Sequence, residues 1–482
     1  MNEAGNQVLS AWIGGKAVPA PASTPRIELF NPVDGSLLYR LPDAGEAMVD
    51  AAVRDAAQAF AKHRRSTAAM RIAWLEAIAK AVEANPGPLA ETIMRGIGKP
   101  RRAANFEVGR VAEFVRGCIA ELLTWRGELL PVDSVAQGAG RIGMSRRIPY
   151  GVVVAVTPFN APANLLMQKL APALAAGNAV VVKPHPAATE TTLLLAELCS
   201  QAGLPDGMFN VVPGERKAAL ALAAHAQVSM ITFTGGVAAA EALARAAGAK
   251  KFCAELGSNA ANIVLADANL EDAAQKIARA AFEASGQQCI SAQRVIVEIS
   301  VFDRFLALFV EAAKSLKVGA PADPSTDIGP MVNAAAAERI MDLVKDAVER
   351  GARVALMPER QGATVSPAIL MAAPPAARLL REEAFGPVVV VQPAKNIDDA
   401  IAQANDSQFG LQGACFTRSL DAALRMAEEF DAGALWINEA SRFRLDMYPF
   451  GGVKASGYGR EGIRYAMEEC SQWKFVGLKM SA

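Results

Sequence analysis

The stretch GVVVAVTPFNAPANLLMQKLAPALAAGNAVVVKPHPAAT, Gly151 to Thr189, decides the fold. It opens on a β-branched apolar run that ends in a proline turn, continues as an Ala/Leu-rich helical stretch, and closes on a second apolar run. Moving outward, the same alternation continues through the helix-like ETTLLLAELCSQAG, the strand-like MFNVVPG, a short helix and SMITFTGG. Short, wholly apolar strands that alternate with helices imply a parallel sheet covered on both faces. Ligands of such sheets bind beyond the carboxyl ends of the strands. The residues at those ends are Thr157, Pro158, Phe159, Asn160, Lys183, Gly214, Thr234, Gly235 and Gly236, and they are expected to line one crevice.

The second half again mixes helix-like EDAAQKIARAAFEA and VFDRFLALFVEAAKSL with strand-like RVIVEI, PVVVVQPA and GALWIN, which predicts a second α/β domain. A chain of 482 residues is longer than one simple core usually takes, so at least two domains are expected. Between Trp125 and Ile148 a Gly-rich turn, QGAGRIG, lies between strand-like flanks and reads as a projecting hairpin. The window Ile148 to Gln168 is uncharged and long enough to span a bilayer. Its three prolines would leave backbone groups unsatisfied in lipid, so it reads as a buried strand and a turn.

Charge is balanced, 49 basic against 49 acidic residues, which points away from nucleic acid and from anionic membrane as partners. Six scattered cysteines and three histidines form no metal-ligand spacing and no disulfide framework, so no metal is expected. The start, MNEAGNQVLSAWIGG, has neither the basic opening nor the long apolar run of a signal peptide, and a cytoplasmic protein is expected. One GxGxxG stands at Gly457 to Gly462, but it follows the loop-like FGGVKAS and not a strand, so it reads as a turn into the helix IRYAMEECS.

Chemistry centres on SGQQCISAQR, Ser285 to Arg294. Cys289 has a polar, glycine-containing approach and no histidine near it in sequence. A thiol reacts as thiolate, and its pKa falls beside backbone amides or positive groups. A carboxylate can then serve the later proton transfers. Glu255, in FCAELGSNAANIVL, ends one apolar strand just before a glycine and another strand. An acid at a buried strand end is paired or functional; an ion pair to a nearby lysine is the structural alternative.

Eight motifs, VTPFNAP, VVKP, FTGG, AELGSNAANIVLADA, SGQQCISAQRV, DIGPMV, REEAFGPV and PFGGVKASGYGREG, stand in the order and spacing of the NAD(P)-dependent aldehyde dehydrogenase superfamily, which the chain resembles over nearly its whole length. The resemblance implies an aldehyde dehydrogenase-like α/β fold. Its Rossmann-like cofactor domain would span 1–124 and 149–253, its catalytic domain 254–455, and a small β oligomerisation and C-terminal element 125–148 and 456–482. It implies Cys289 as nucleophile, Glu255 as the base for the hydrolytic water, and Asn160 as side-chain donor of an oxyanion hole. Lys183 matches the residue that bonds the adenosine ribose, Glu383 the ligand of the nicotinamide ribose, Phe385 its neighbour, and Glu461 a proton-relay carboxylate. Leu256 falls in the same cofactor-facing motif as Glu255. A homodimer or homotetramer follows from the same resemblance.

Gly236 and Ala240 stand where members often have Ser and Gly, which leaves the pyrophosphate to backbone amides and a helix N-terminus. Ser258 replaces a common glycine and reads as a local turn variation. Pro186 stands where NAD-preferring members often carry a ribose-binding Glu, so NAD and NADP both remain open. His185 reads as an ordinary solvent-facing turn residue, with approach to a 2′-phosphate as the alternative. The loop NEASRFRLDMYPFGG is most like those of lactaldehyde and non-phosphorylating glyceraldehyde-3-phosphate dehydrogenase members. Arg442 and Arg444 could fork onto the anionic group of a small polar aldehyde, or tie down the loop by salt bridges. A non-catalytic member of the fold and a cysteine hydrolase without nucleotide are the rival readings. The first would be expected to lose Cys289 or Glu255; the second needs a histidine beside the thiol.

Overall fold

The computed structural model describes residues 7–480. Residues 1–6 and 481–482, at the ends of the expected 1–124 and 456–482 segments, lie outside the described residues, as does the start of the N-terminal stretch read above.

Eight strands form the first sheet, in the order Lys16–Val18, Ala11–Ile13, Phe209–Val211, Ala179–Pro184, Val152–Thr157, Val228–Thr234, Lys251–Glu255 and Gly457–Tyr458. The five from Phe209–Val211 to Lys251–Glu255 are parallel, and the outer pairings are antiparallel. Val152–Thr157 and Ala179–Pro184 are buried at every residue, as wholly apolar central strands require. The helix Pro162–Ala176 is buried at all 15 of its positions. It lies against the sheet and is covered by the helices Ala68–Ala84 and Arg101–Thr124. The uncharged window from Ile148 is thus a strand, a turn and a covered helix. No helix among the described residues is long and apolar enough to cross a membrane.

The second sheet has seven strands, ordered Arg353–Leu356, Ala368–Met371, Val388–Ala394, Arg294–Glu298, Ala261–Val264, Gln412–Phe416 and Ala434–Ile437. All are parallel neighbours except the first. The third sheet joins Ser471–Lys479, Arg141–Pro149 and Glu128–Leu130, all antiparallel. Its hairpin turn is longer than the Gly-rich motif suggested, because two short 3₁₀ turns, Val132–Ser134 and Ala136–Gly138, precede Gly140.

The Gly457 region differs from its reading as a plain turn. Gly457–Tyr458 adds an edge to the first sheet, with Gly457 opposite Glu255. Only glycine permits this approach: φ is +149°, and a Cβ there would lie 2.3 Å from the Ala254 carbonyl oxygen. The preceding Val453–Lys454 is likewise a two-residue strand, paired with Phe409–Gly410.

Arg294, the first residue of its strand, fixes the loop that carries Cys289 to the second sheet. Its guanidinium donates to the carbonyls of Asn259, Gln403 and Ala404, each at 2.9 Å. The last two are orphan carbonyls at the end of the helix Ile397–Asn405. Burial lowers the Arg294 pKa to about 10, which still leaves it charged at neutral pH. Arg294→Met leaves three buried acceptors unpaired and is expected to lower unfolding stability by about 3–5 kcal/mol in urea titration. A loss under about 1 kcal/mol would contradict this bonding role.

Candidate active site

The strand ends meet as the alternation requires. Thr157 pairs with Pro184, and Thr234 with Glu255. Lys183, buried, donates one hydrogen bond to the Gly214 carbonyl at 2.7 Å, and burial lowers its pKa to about 8. Phe159 has its ring 5.1 Å from that of His185 and 5.7 Å from that of Phe385. His185 accepts the Ala187 N–H through Nδ1, and burial, with Lys183 close by, lowers its pKa to about 4. Pro186 opens the 3₁₀ turn after it. Gly236 caps the helix Val237–Ala247 with no side-chain bond, and a Cβ there would meet nothing within 4 Å. The hydroxyls of Thr157 and Thr234 are buried without partners.

This crevice suits a dinucleotide. It offers orphan hydroxyls, a lysine with donors to spare, and a helix N-terminus open to an anion. On its far side Glu383 accepts the Ser258 N–H at 3.0 Å, and burial raises its pKa to about 7. Ser258 thus contributes through its backbone. The Leu256 N–H is spent on the Ser456 carbonyl at 2.9 Å. Phe385 holds a left-handed φ of +52°. Arg339 donates to the Glu383 and Ala384 carbonyls, both at 2.8 Å, and Gln293 accepts the Ala384 N–H at 2.8 Å.

Cys289 follows three consecutive left-handed residues, Ala284, Ser285 and Gly286, with φ of 54°, 61° and 65°. Two of them carry side chains, a strained arrangement that surrounding bonds must hold. Ser285 Oγ donates to the Gly329 carbonyl at 2.7 Å. Cys289 is partly accessible and packs on Ile290, Leu411 and Phe450. Burial pushes its thiol up to about 12; the Arg444 guanidinium pulls it down, and the Glu383, Glu255 and Glu461 carboxylates push it further up. No histidine is among these groups: His63 packs on Trp74 and His225 faces Asp50. Among the described residues, neither the Cys289 N–H nor the Asn160 carboxamide has a protein partner.

Behind the thiol lies a buried charge cluster. Lys169 Nζ donates to Glu461 Oε1 at 2.8 Å and Arg444 Nη2 to Glu461 Oε2 at 3.0 Å. Burial opposes ionisation of Glu461, but these two cations hold its pKa below the usual carboxylate range. Glu255 is 5% exposed and its Oε2 has no partner. Burial and the neighbouring Glu461 raise its pKa well above the usual value, against Arg444, Lys169 and Arg460. The lysine ion pair considered for Glu255 goes to Glu461 instead.

The two loop arginines differ. Arg442 is engaged by Gln288 Oε1 at 2.7 Å and Glu283 Oε2 at 2.5 Å. Arg444 lies 3.7 Å over the Phe450 ring and bonds Gln168 and Glu461, yet its buried Nε has no partner.

Lys169 joins the site without a motif of its own, yet the sequence carries a signal for it. It is the charge that ends the uncharged Ile148 to Gln168 window, in a helix buried on every side. A lone buried ammonium costs several kcal/mol, about what one or two buried Leu side chains contribute, so it had to have a partner. Gln293 and Arg339 gave no signal, because their bonds go to backbone far away in sequence.

Residues 20–476 match the aldehyde dehydrogenase family. The chain is 41% identical to the 3-sulfolactaldehyde dehydrogenase of Priestia megaterium over 392 residues, 81% of this chain and 82% of that one. It is 38% identical to aspartate-semialdehyde dehydrogenase 1 of Pseudomonas canavaninivorans, over 95% of this chain and 97% of that one. The crystal structure of NADP-dependent glyceraldehyde-3-phosphate dehydrogenase from Bacillus halodurans C-125 with NADP superimposes with a TM-score of 0.95 at 34% identity, over 98% and 99% of the two chains. The chain belongs to the aldehyde dehydrogenase family.

With its thiol pushed up to about 12, Cys289 is protonated at neutral pH in the free protein. Its alkylation by iodoacetamide, followed by peptide mass, is expected to rise roughly tenfold per unit between about pH 7 and 9, as the thiolate fraction does below its pKa. Arg444→Met is expected to slow it at every pH. The other five cysteines are buried and serve as internal references. A plateau below about pH 9 would contradict the burial argument.

Proposed function

We propose that this aldehyde dehydrogenase oxidises a small anionic aldehyde to a carboxylic acid, with NAD or NADP as cofactor, through a covalent adduct on Cys289. One observation carries the reading: a partly accessible thiol lies in the field of Arg444 and of a buried Glu255 whose Oε2 has no partner.

Cys289 Sγ gives up its proton to solvent water and, as thiolate, adds to the aldehyde carbon. Negative charge moves to the carbonyl oxygen, where the unpartnered Asn160 carboxamide and Cys289 N–H can donate to it. The bound cofactor would supply the hydride acceptor, and loss of hydride from this carbon would leave the acyl group on Cys289 as a thioester. Glu255 removes a proton from water, the hydroxide attacks the thioester carbonyl, and the Cys289 thiolate departs as the acid forms. Its raised pKa makes Glu255 the stronger base once ionised, and Glu461 is taken as the carboxylate that relays the proton outward.

Lys183 would hold the adenosine ribose, and Thr234, Gly235 and Gly236 with the helix N-terminus the pyrophosphate. Glu383 would take the nicotinamide ribose, with Thr157, Pro158, Phe159, Leu256 and Phe385 around the ring. Pro186 puts no carboxylate near a 2′-phosphate. The cofactor domain is taken as 1–124 with 149–253, and the catalytic domain as 254–455.

The anionic substrate rests on Arg444. The substrates named for the three relatives carry a sulfonate, a carboxylate or a phosphate. Arg442 is spent on Glu283, whereas the buried Nε of Arg444 has no partner. Reduced-cofactor absorbance over an aldehyde panel tests the whole reading, with Cys289→Ala expected to abolish the signal. Arg444→Met is expected to lower kcat/KM for an anionic aldehyde by roughly ten- to a hundredfold more than for a neutral one of similar size. Equal losses would return Arg444 to loop structure alone.

The 125–148 and 456–482 segments are taken as a subunit interface. The strand Ser471–Lys479 exposes Trp473, Phe475 and Leu478 along a sheet edge, which a second copy would cover. Light scattering at micromolar concentration is expected to give a dimer or tetramer; a monodisperse monomer would contradict the assignment.

A further inference from the structure

Three segments distant in sequence meet beside the proposed oxyanion site. The turn from strand to helix at residues 158–161 carries Asn160. Its carbonyl oxygen accepts Lys99 Nζ at 2.7 Å. The same ammonium is paired with Glu107, and the two side chains are only 8% and 4% exposed. Glu107 Oε1 in turn accepts the Ala163 N–H at 2.8 Å and the Asn164 N–H at 3.2 Å, two orphan donors at the start of the helix Pro162–Ala176. One buried ion pair therefore grips the Asn160 turn from both ends.

The other side of the pair leads to Cys289. Gly98, next to Lys99, is left-handed at φ +69°, and a Cβ there would lie 2.5 Å from Pro330 Cγ. A Cβ on Gly329 would lie 2.5 Å from the Gly98 carbonyl oxygen. This Gly329 carbonyl is the acceptor of Ser285 Oγ in the strained run before Cys289. Asp327 forms an ion pair with Arg102 through its side chain and accepts the Ala284 N–H at 3.1 Å through its carbonyl. The 98–102 segment thus contacts both the Asn160 turn and the support of the Cys289 loop.

We propose that Lys99 and Glu107 are positioning residues that set the Asn160 carboxamide at the correct separation from the Cys289 backbone N–H. The inference rests on the oxyanion role of Asn160 proposed above. Asn160 makes no side-chain bond of its own among the described residues, so its placement is decided through its backbone. An apolar pair would often serve stability as well as two buried charges. What an apolar pair cannot supply is a directed bond to one carbonyl and an acceptor for two N–H groups.

The test is a double-mutant comparison on the burst of reduced cofactor, which reports acylation, with aldehyde saturating. Lys99→Met/Glu107→Gln removes the bond to Asn160 and keeps an acceptor for the helix N–H groups. It is expected to slow the burst by roughly ten- to a hundredfold, with affinity for NAD and NADP unchanged, since misplacement by about 1 Å costs that much. In an Asn160→Ala background, the same pair change should slow the burst by less than about threefold, because the group it positions is gone. An undiminished loss in that background, or a wild-type burst from the pair variant, overturns the inference. If Asn160→Ala alone leaves the burst unchanged, the oxyanion reading fails and the inference falls with it. Should the pair variant fail to fold, Glu107→Asp keeps both charges but shortens the grip, and the same comparison decides.

Discussion

Two carboxylates, Glu255 and Glu461, share a buried corner at the carboxyl end of the first sheet with two cations, Lys169 and Arg444. A carboxylate out of water is either paired or driven to its neutral form. Both cations bond Glu461, which stays ionised; Glu255 keeps an unpartnered oxygen and is driven toward the acid. This unequal sharing separates the states of the two groups. It yields one fixed anion that orders the arginine and one carboxyl with an oxygen left unpartnered. The guanidinium held by Glu461 is also the group that draws down the Cys289 thiol.

The backbone around this corner is arranged to keep it so. Gly457 lets the C-terminal edge strand approach Glu255 more closely than a side chain would allow. Ser285 and Asp327 hold the left-handed run that presents Cys289, and Arg339 with Gln293 holds the loop of Glu383 and Phe385. These supports come from both large sheets, so neither sheet alone carries the full set.

Much of this was legible in the sequence where local pattern decides structure. The run VVVAVT and its partner AVVVK could only be covered parallel strands, and Thr157 and Lys183 stand at their carboxyl ends, with Asn160 in the turn that follows. Cys289 and Glu255 stood out because polar residues interrupt apolar runs there. The bonds made over long sequence distances were not legible. That Lys169 rather than a surface group takes Glu461, that Arg442 turns to Glu283, and that Lys99 reaches Asn160 depend on how helices cross, which no local spacing encodes. Gly457 reads as a turn in the sequence because a two-residue edge strand leaves no period to detect.

The central claim is that carbon–sulfur chemistry occurs at Cys289 and that Glu255 is required only for the water step. The most direct measurement is the intact and peptide mass of Glu255→Gln protein mixed with aldehyde and oxidised cofactor. The account predicts one equivalent of reduced cofactor and a persistent acyl group on the Cys289 peptide. Loss of the first reduction together with turnover, and no adduct on Cys289, would contradict it.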